Sequence, residues 1–149
     1  MDFSTLVEYD RTYPVKIYHP VTGKETGIVI NVVSSDSKRV VDALRVAQGK
    51  RWADDAAGES KDDASALPAL MAEAGRIKLI HSIDSWEWPA DGGFAHIKTD
   101  SKPSVEDRTF LVDHPNAEWI RVQIASGCAN LENFTQPSQK SAPRGSKKT

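Results

Sequence analysis

The chain has 149 residues, 39% apolar and 27% charged, which suits one domain with a modest core and argues against a wholly disordered chain. No apolar run approaches the roughly 20 residues that span a bilayer, and a single cysteine, Cys128, excludes an internal disulfide and a cysteine-rich zinc site. The net charge of −2 hides an asymmetry: residues 135–149 carry four basic side chains and no acid, leaving 15 basic against 21 acidic in the other 134 residues, and an acidic body with four dispersed cations excludes an ordinary nucleic-acid-binding domain.

Residues 1–12 read as a flexible start. They lack the basic head and apolar stretch of a secretory signal, which points to a cytosolic protein. The stretch 13–33, "YPVKIYHPVTGKETGIVINVV", predicts a β-hairpin. Val15 and Ile17 alternate with Lys16 and Tyr18, and Ile28, Ile30 and Val32 alternate with their neighbours, a period of two. Pro20, Gly23 and Gly27 supply the turn chemistry. A two-stranded hairpin is marginal alone, so helices should cover its apolar face.

A helix should follow over 34–55, capped by Ser34, Ser35 or Asp36, with Val40, Val41 and Leu44 on one face and Gly49 weakening its middle. Residues 56–66 have no apolar side chain larger than alanine and read as a flexible connection. The strongest helical pattern begins at Leu67 and runs through Leu70, Met71, Ala74, Ile77 and Ile80, with Pro68 tolerable in a first turn. Near Ile83 it should run out into a turn-rich stretch with a short extended piece from Phe94 to Ile97. Ser104-x-x-Asp107 opens a short helix expected to bury Val105, Phe110 and Leu111. Pro115 disfavours helical geometry at His114, so the chain breaks and restarts. In the last helix Trp119, Ile120, Ile124, Gly127, Cys128 and Leu131 share one side. The residues after Phe134 are polar and basic, a composition that should stay disordered. The fold expected is α+β and mainly helical: an N-terminal hairpin, then three or four helices, over residues 13–134.

Chemistry-bearing patterns are sparse. His19, His81, His96 and His114 are scattered with no ligand spacing, and Cys128 lies on the apolar side of its helix, where a small core residue is expected. Gly23-Lys24 is followed by Glu25 and a strand, not the Ser/Thr and helix of a phosphate loop. The acids of 54–63 lack calcium-loop spacing. No catalytic, cofactor-binding or metal residue is expected. The aromatics say more. Trp86, Trp88 and Phe94 are candidates for an exposed partner-binding patch, since tryptophan supplies large contact area; their bland alternative is partial burial. Trp119, Ile120 and Ile124 are candidate core anchors, closing against the face of Leu70, Ala74 and Ile77.

The order of features resembles the tail assembly chaperones of long-tailed bacteriophages. Trp86 after the middle helix, Lys102-Pro103, Leu111, Pro115, Trp119-Ile120-Arg121, Gln123 and Asn133-Phe134 carry the resemblance, which spans roughly residues 13–134. The long stretches 56–66 and 89–99 depart from it. The resemblance implies a non-enzymatic chaperone without cofactors, working in the host cytoplasm and missing from the mature virion. Its partners would be the tape-measure protein and the major tail-tube protein, with no nucleic acid and no membrane; self-association is left open. It also implies a longer frameshifted product extending from the polar tail. The competing expectations are a tail component retained in the virion and, third, a small enzyme.

Overall fold

The computed structural model of the protein describes residues 3–56, 67–94 and 97–135. The expectations for the connection at 57–66, for Ala95 and His96, for the side chain of Trp52 and for the tail after Thr135 fall outside those residues.

Two strands open the body. β1 (Tyr13–Tyr18) and β2 (Glu25–Val32) pair antiparallel, with Val15 opposite Ile30 and Tyr13 opposite Val32. Alternation along each strand puts Val15, Ile17, Ile28, Ile30 and Val32 on one buried face. At the turn the His19 amide donates to the Lys24 carbonyl at 2.8 Å, and the Gly23 amide to the His19 carbonyl at 3.0 Å. Gly23 has φ 73° and Gly27 φ 92°, conformations that glycine adopts without a Cβ clash. Gly27 sits where the pairing register jumps between Lys16 and Tyr18, so extra residues of β2 bulge there.

α1 (Lys38–Ala56) follows, then α2 (Leu67–Ser82), which passes directly into a third strand, β3 (Ile83–Glu87). β3 pairs antiparallel with β2, giving the order β1-β2-β3 with β2 central. The pattern at 83–87 predicts only the run-out of a helix. The reason is the register shift opposite Asn31 and Val32: it leaves Ile83 and Trp86 buried at a spacing of three, which continues the helical rhythm of Ile80.

The cap of α1 also differs from expectation. The Lys38 amide donates to Asp10 Oδ1 at 3.0 Å, while Ser34 Oγ accepts from the Asp36 amide in a local turn at 3.0 Å. Asp10 belongs to the stretch read as flexible, and residues 7–10 of that stretch are held. The Glu8 amide donates to the Phe134 carbonyl at 2.7 Å, the Ser34 amide donates to the Tyr9 carbonyl at 3.1 Å, and Val7 bridges Thr135. Main-chain bonds of this kind leave no side-chain signature in a sequence.

α3 (Val105–Asp113) begins as its sequence predicts. Ser104 Oγ accepts from the Asp107 amide, and its hydroxyl donates to the Asp107 carboxylate. Its burial differs: Leu111 and Val112 are buried, whereas Val105 is 46% and Phe110 55% exposed. A nine-residue helix lying on the body covers one side only, and Phe110 is on the other. His114 is extended before Pro115, and α4 (Glu118–Ala129) restarts the helix behind buried Ala117. A 3-10 turn, Leu131–Phe134, then folds Phe134 into the core, edge-on to Tyr13 at 6.3 Å.

The molecule is therefore α+β, a three-stranded sheet with one polar face and one face under helices. α4 lies across β1 and β2, where Ile120 and Ile124 join Ile17, Ile30, Ile83 and Leu111 in the core. The approach of α4 to β1 is close. A Cβ on Gly127 would stand 2.4 Å from Val15 Cγ2, so this glycine serves distance rather than backbone freedom. Gly127→Ala gains helix propensity of up to about 1 kcal/mol, but overpacking a stiff buried valine costs about 1–3 kcal/mol. A net loss of melting temperature is expected. The double variant Gly127→Ala/Val15→Ala should lose less than the two single losses added; strict additivity in a thermal-melt cycle would refute the contact.

Candidate functional site

The junction of α2 and β3 is held by two arginines from different helices. Arg39 of α1 donates to the carbonyls of His81 at 2.8 Å and Ile83 at 2.6 Å, and to the Asp84 carboxylate at 3.0 Å. Arg108 of α3 donates to the carbonyls of Ile80 and Ile83 at 3.1 and 3.0 Å. Cations here satisfy the open carbonyls of a helix end and complement its dipole. Lys102 reaches Asp84 at 3.5 Å. Burial pushes the Asp84 carboxyl up, but Arg39 and Lys102 outweigh it and hold it below the usual carboxylate value.

His81 lies in this cluster, and burial, with the charges of Arg108 and Arg39, holds its imidazole below the ordinary value. The unfolded chain takes up that proton near pH 6.5 and the folded chain only at lower pH. The resulting stability is present above that pH and is lost as pH falls through the folded value. Asp84 and Asp113, both held low, lose their share only below about pH 4. Melting temperature should therefore fall between pH 7 and 5, and His81→Asn should flatten that segment; parallel curves would refute it.

The residues that carry the resemblance are placed by the fold, and most serve it. Arg121 Nη1 donates to the carbonyls of Val112 at 2.8 Å and His114 at 2.7 Å, closing the end of α3, while its other nitrogens hold Glu118. Gln123 accepts from the Tyr18 amide at 2.8 Å and donates to the Tyr18 carbonyl at 3.0 Å. Its carboxamide thus takes the place of a neighbouring strand at the free edge of β1, in an open groove of about 640 Å³ between β1 and α4. Occupying an edge this way blocks sheet-to-sheet pairing. Asn133 donates to the Gly127 carbonyl at 2.9 Å. Leu111, Ile120 and Phe134 are fully buried.

Trp86, Trp88 and Phe94 are brought together, but not as an exposed patch. Trp86 is fully buried beside Ile30, its partner in register. It meets Trp88 edge-on at 5.7 Å, Trp88 meets Phe94 at 6.0 Å, and Phe94 meets His114 at 4.7 Å. Only Trp88 and Phe94, both half-buried, reach solvent. The reason is β3: as part of the sheet it turns Trp86 inward. Among the anchors, Ile120 and Ile124 are fully buried, whereas Trp119 is half-buried against the core margin. Nor does Trp119 face Leu70, Ala74 and Ile77. The side of α2 turned to α4 carries Ala72, Gly75 and Leu79, half a turn away at 100° per residue.

That side forms a groove. Between α2, the end of α3 and α4 lies an open space of about 520 Å³, floored by Ala72, Gly75, Leu79, Val112, Ala125, Cys128 and Ala129. Arg76, Lys78, Arg121 and Asp113 stand around it. Arg76 forks onto Asp113 at 2.7 and 2.9 Å and reaches Glu73 at 3.2 Å; the Arg76 hydrogen bond holds the Asp113 carboxyl low. Burial pushes the Cys128 thiol up, as suits an unreactive wall residue. This groove went unforeseen. Its signal is α2 itself, where Ala72, Gly75 and Leu79 add apolar or small residues outside the expected stripe.

Among the described residues no three of His, Cys, Asp and Glu converge as a metal set, and no helix is long and apolar enough to cross a membrane. Two histidines shape turns: His19 Nδ1 accepts from the Val21 and Thr22 amides, and His114 Nδ1 from the Asn116 amide. Compared with protein-family models, curated proteins and solved structures, the chain finds no match.

Proposed function

We propose that the protein is a tail assembly chaperone of a long-tailed bacteriophage, acting without catalysis or cofactor in the host cytoplasm. It binds the tape-measure protein, keeps that long helical chain from aggregating, and promotes polymerisation of the tail-tube protein around it. The observation that carries this reading is uncovered apolar surface on the helices. Leu67 and Met71 of α2 are 55% and 66% exposed, and on α3 Val105 and Phe110 are 46% and 55% exposed. Surface of this kind on an otherwise acidic body marks protein contact. The ordered set from Trp86 to Phe134 supports it through resemblance.

Co-expression tests the reading. The tape-measure protein, aggregated alone, should become soluble and co-purify with this chain, and purified virions should lack the chain. Stoichiometric presence in virions would replace the chaperone by a retained tail component. Failure to solubilise or retain the tape measure would remove the proposed partner.

A further inference from the structure

The face of the sheet turned away from α4 carries charges that fit a second copy of itself. Pairing register puts Lys16 of β1 opposite Val29 of β2, and Val29 opposite Glu87 of β3. The next such row is Pro14, Asn31 and Ser85, where the Asn31 carboxamide donates to Ser85 Oγ at 2.9 Å. Val15, Ile30 and Trp86, the row between them, are buried in the core, so alternation turns both flanking rows outward. Lys16 and Glu87 are exposed, with half-buried Val29 between them. The two charges stand two strand spacings apart, about 10 Å. Neither has an ion pair among the described residues.

A row with both signs selects its occupant. A ligand of one sign answers only one end of it. Residues 136–149, with four cations and no acid, would attract Glu87 and repel Lys16. A second copy answers both ends. Two sheets packed face to face, about 10 Å apart, can be related by a two-fold axis running along β2. That axis exchanges left and right but keeps height along the strands. It lays Lys16 over Glu87 of the second copy, Glu87 over its Lys16, and Val29 over Val29. Asn31 then meets Asn31, and carboxamides pair donor to acceptor. A two-fold axis across the strands would instead set Lys16 on Lys16. We propose that the protein self-associates through this open sheet face as a two-fold dimer, with reciprocal Lys16–Glu87 pairs on either side of Val29. Three strands of six, eight and five residues make a small face. The dimer is therefore weak and reversible, with a dissociation constant on the order of 0.1 mM. It stands independently of the chaperone reading.

Sedimentation equilibrium of the full-length chain, at concentrations either side of that value, reads the dimer. Lys16→Glu and Glu87→Lys should each weaken it about tenfold, since each turns two attractions into two repulsions. The double variant Lys16→Glu/Glu87→Lys should restore it. Both side chains are exposed, so all three variants should melt like wild type. In wild-type protein a carbodiimide, which joins an amine to a carboxylate with loss of water, should link Lys16 to Glu87 in the covalent dimer and not in the monomer. A wild-type chain that stays monomeric throughout overturns the proposal, and so does a double variant that associates no better than the single ones. Should a variant fail to fold, a covalent dimer without the Lys16–Glu87 link overturns it instead.

Discussion

Ile30→Asp is expected to abolish the fold. Ile30 is fully buried at the centre of β2, opposite Val15 on β1 and Trp86 on β3, with α4 above. Its cross-strand partners are one aliphatic and one aromatic side chain, and it belongs to the hydrophobic core. An ionised carboxylate there carries a desolvation penalty of several kcal/mol, and protonation relieves it only by leaving a polar group without a partner. A small domain has roughly 5–15 kcal/mol of stability in all, and the lost isoleucine packing adds to the cost. The soluble fraction on expression and the thermal melt by circular dichroism decide the matter. A soluble variant with an unchanged melting temperature would mean that the sheet is not the core.

The elements that could be read from the sequence are those whose signal is local. The hairpin declares itself through alternation around Gly23 and Gly27, and α3 through Ser104 and Asp107. The break before α4 follows from the steric demand of Pro115 on His114. What escaped depends on partners far along the chain. β3 was hidden because a register shift spaces Ile83 and Trp86 like a helix. The role of Gly127 needs Val15, more than a hundred residues earlier, to be visible. The anchoring of residues 7–10 uses main-chain bonds to Phe134 and Ser34, which any side chains would permit.

The candidate site divides in the same way. Arg121, Gln123 and Asn133 stood out as a pattern, yet each is spent on backbone groups of this chain. Their recurrence in the resemblance therefore speaks for the fold first, and for a partner only through it. The groove is the converse. Its residues are small and unremarkable in sequence, and it exists because α2 has apolar side chains on more sides than its neighbours cover.

Trp86→Ala is expected to cost about 3–5 kcal/mol, the usual penalty for truncating a buried aromatic, because Trp86 is fully buried between Ile30 and Trp88. The loss would show as an earlier denaturation midpoint with an unchanged slope in urea. Trp86→Phe separates packing from polarity. The indole nitrogen of Trp86 is buried without an acceptor among the described residues, so phenylalanine keeps most of the apolar contact and removes an unpartnered donor, whose burial costs about 1–3 kcal/mol. That gain offsets part of the lost ring area, and Trp86→Phe should retain most of the wild-type stability. Trp88→Ala, at a half-buried position, should fall between the two. If Trp86→Phe proved as damaging as Trp86→Ala, the indole N–H would have to be bonded in the folded protein. If Trp86→Ala instead left the urea midpoint unchanged and lost only the tape measure, Trp86 would belong to a docking surface and β3 would not hold it inside the sheet.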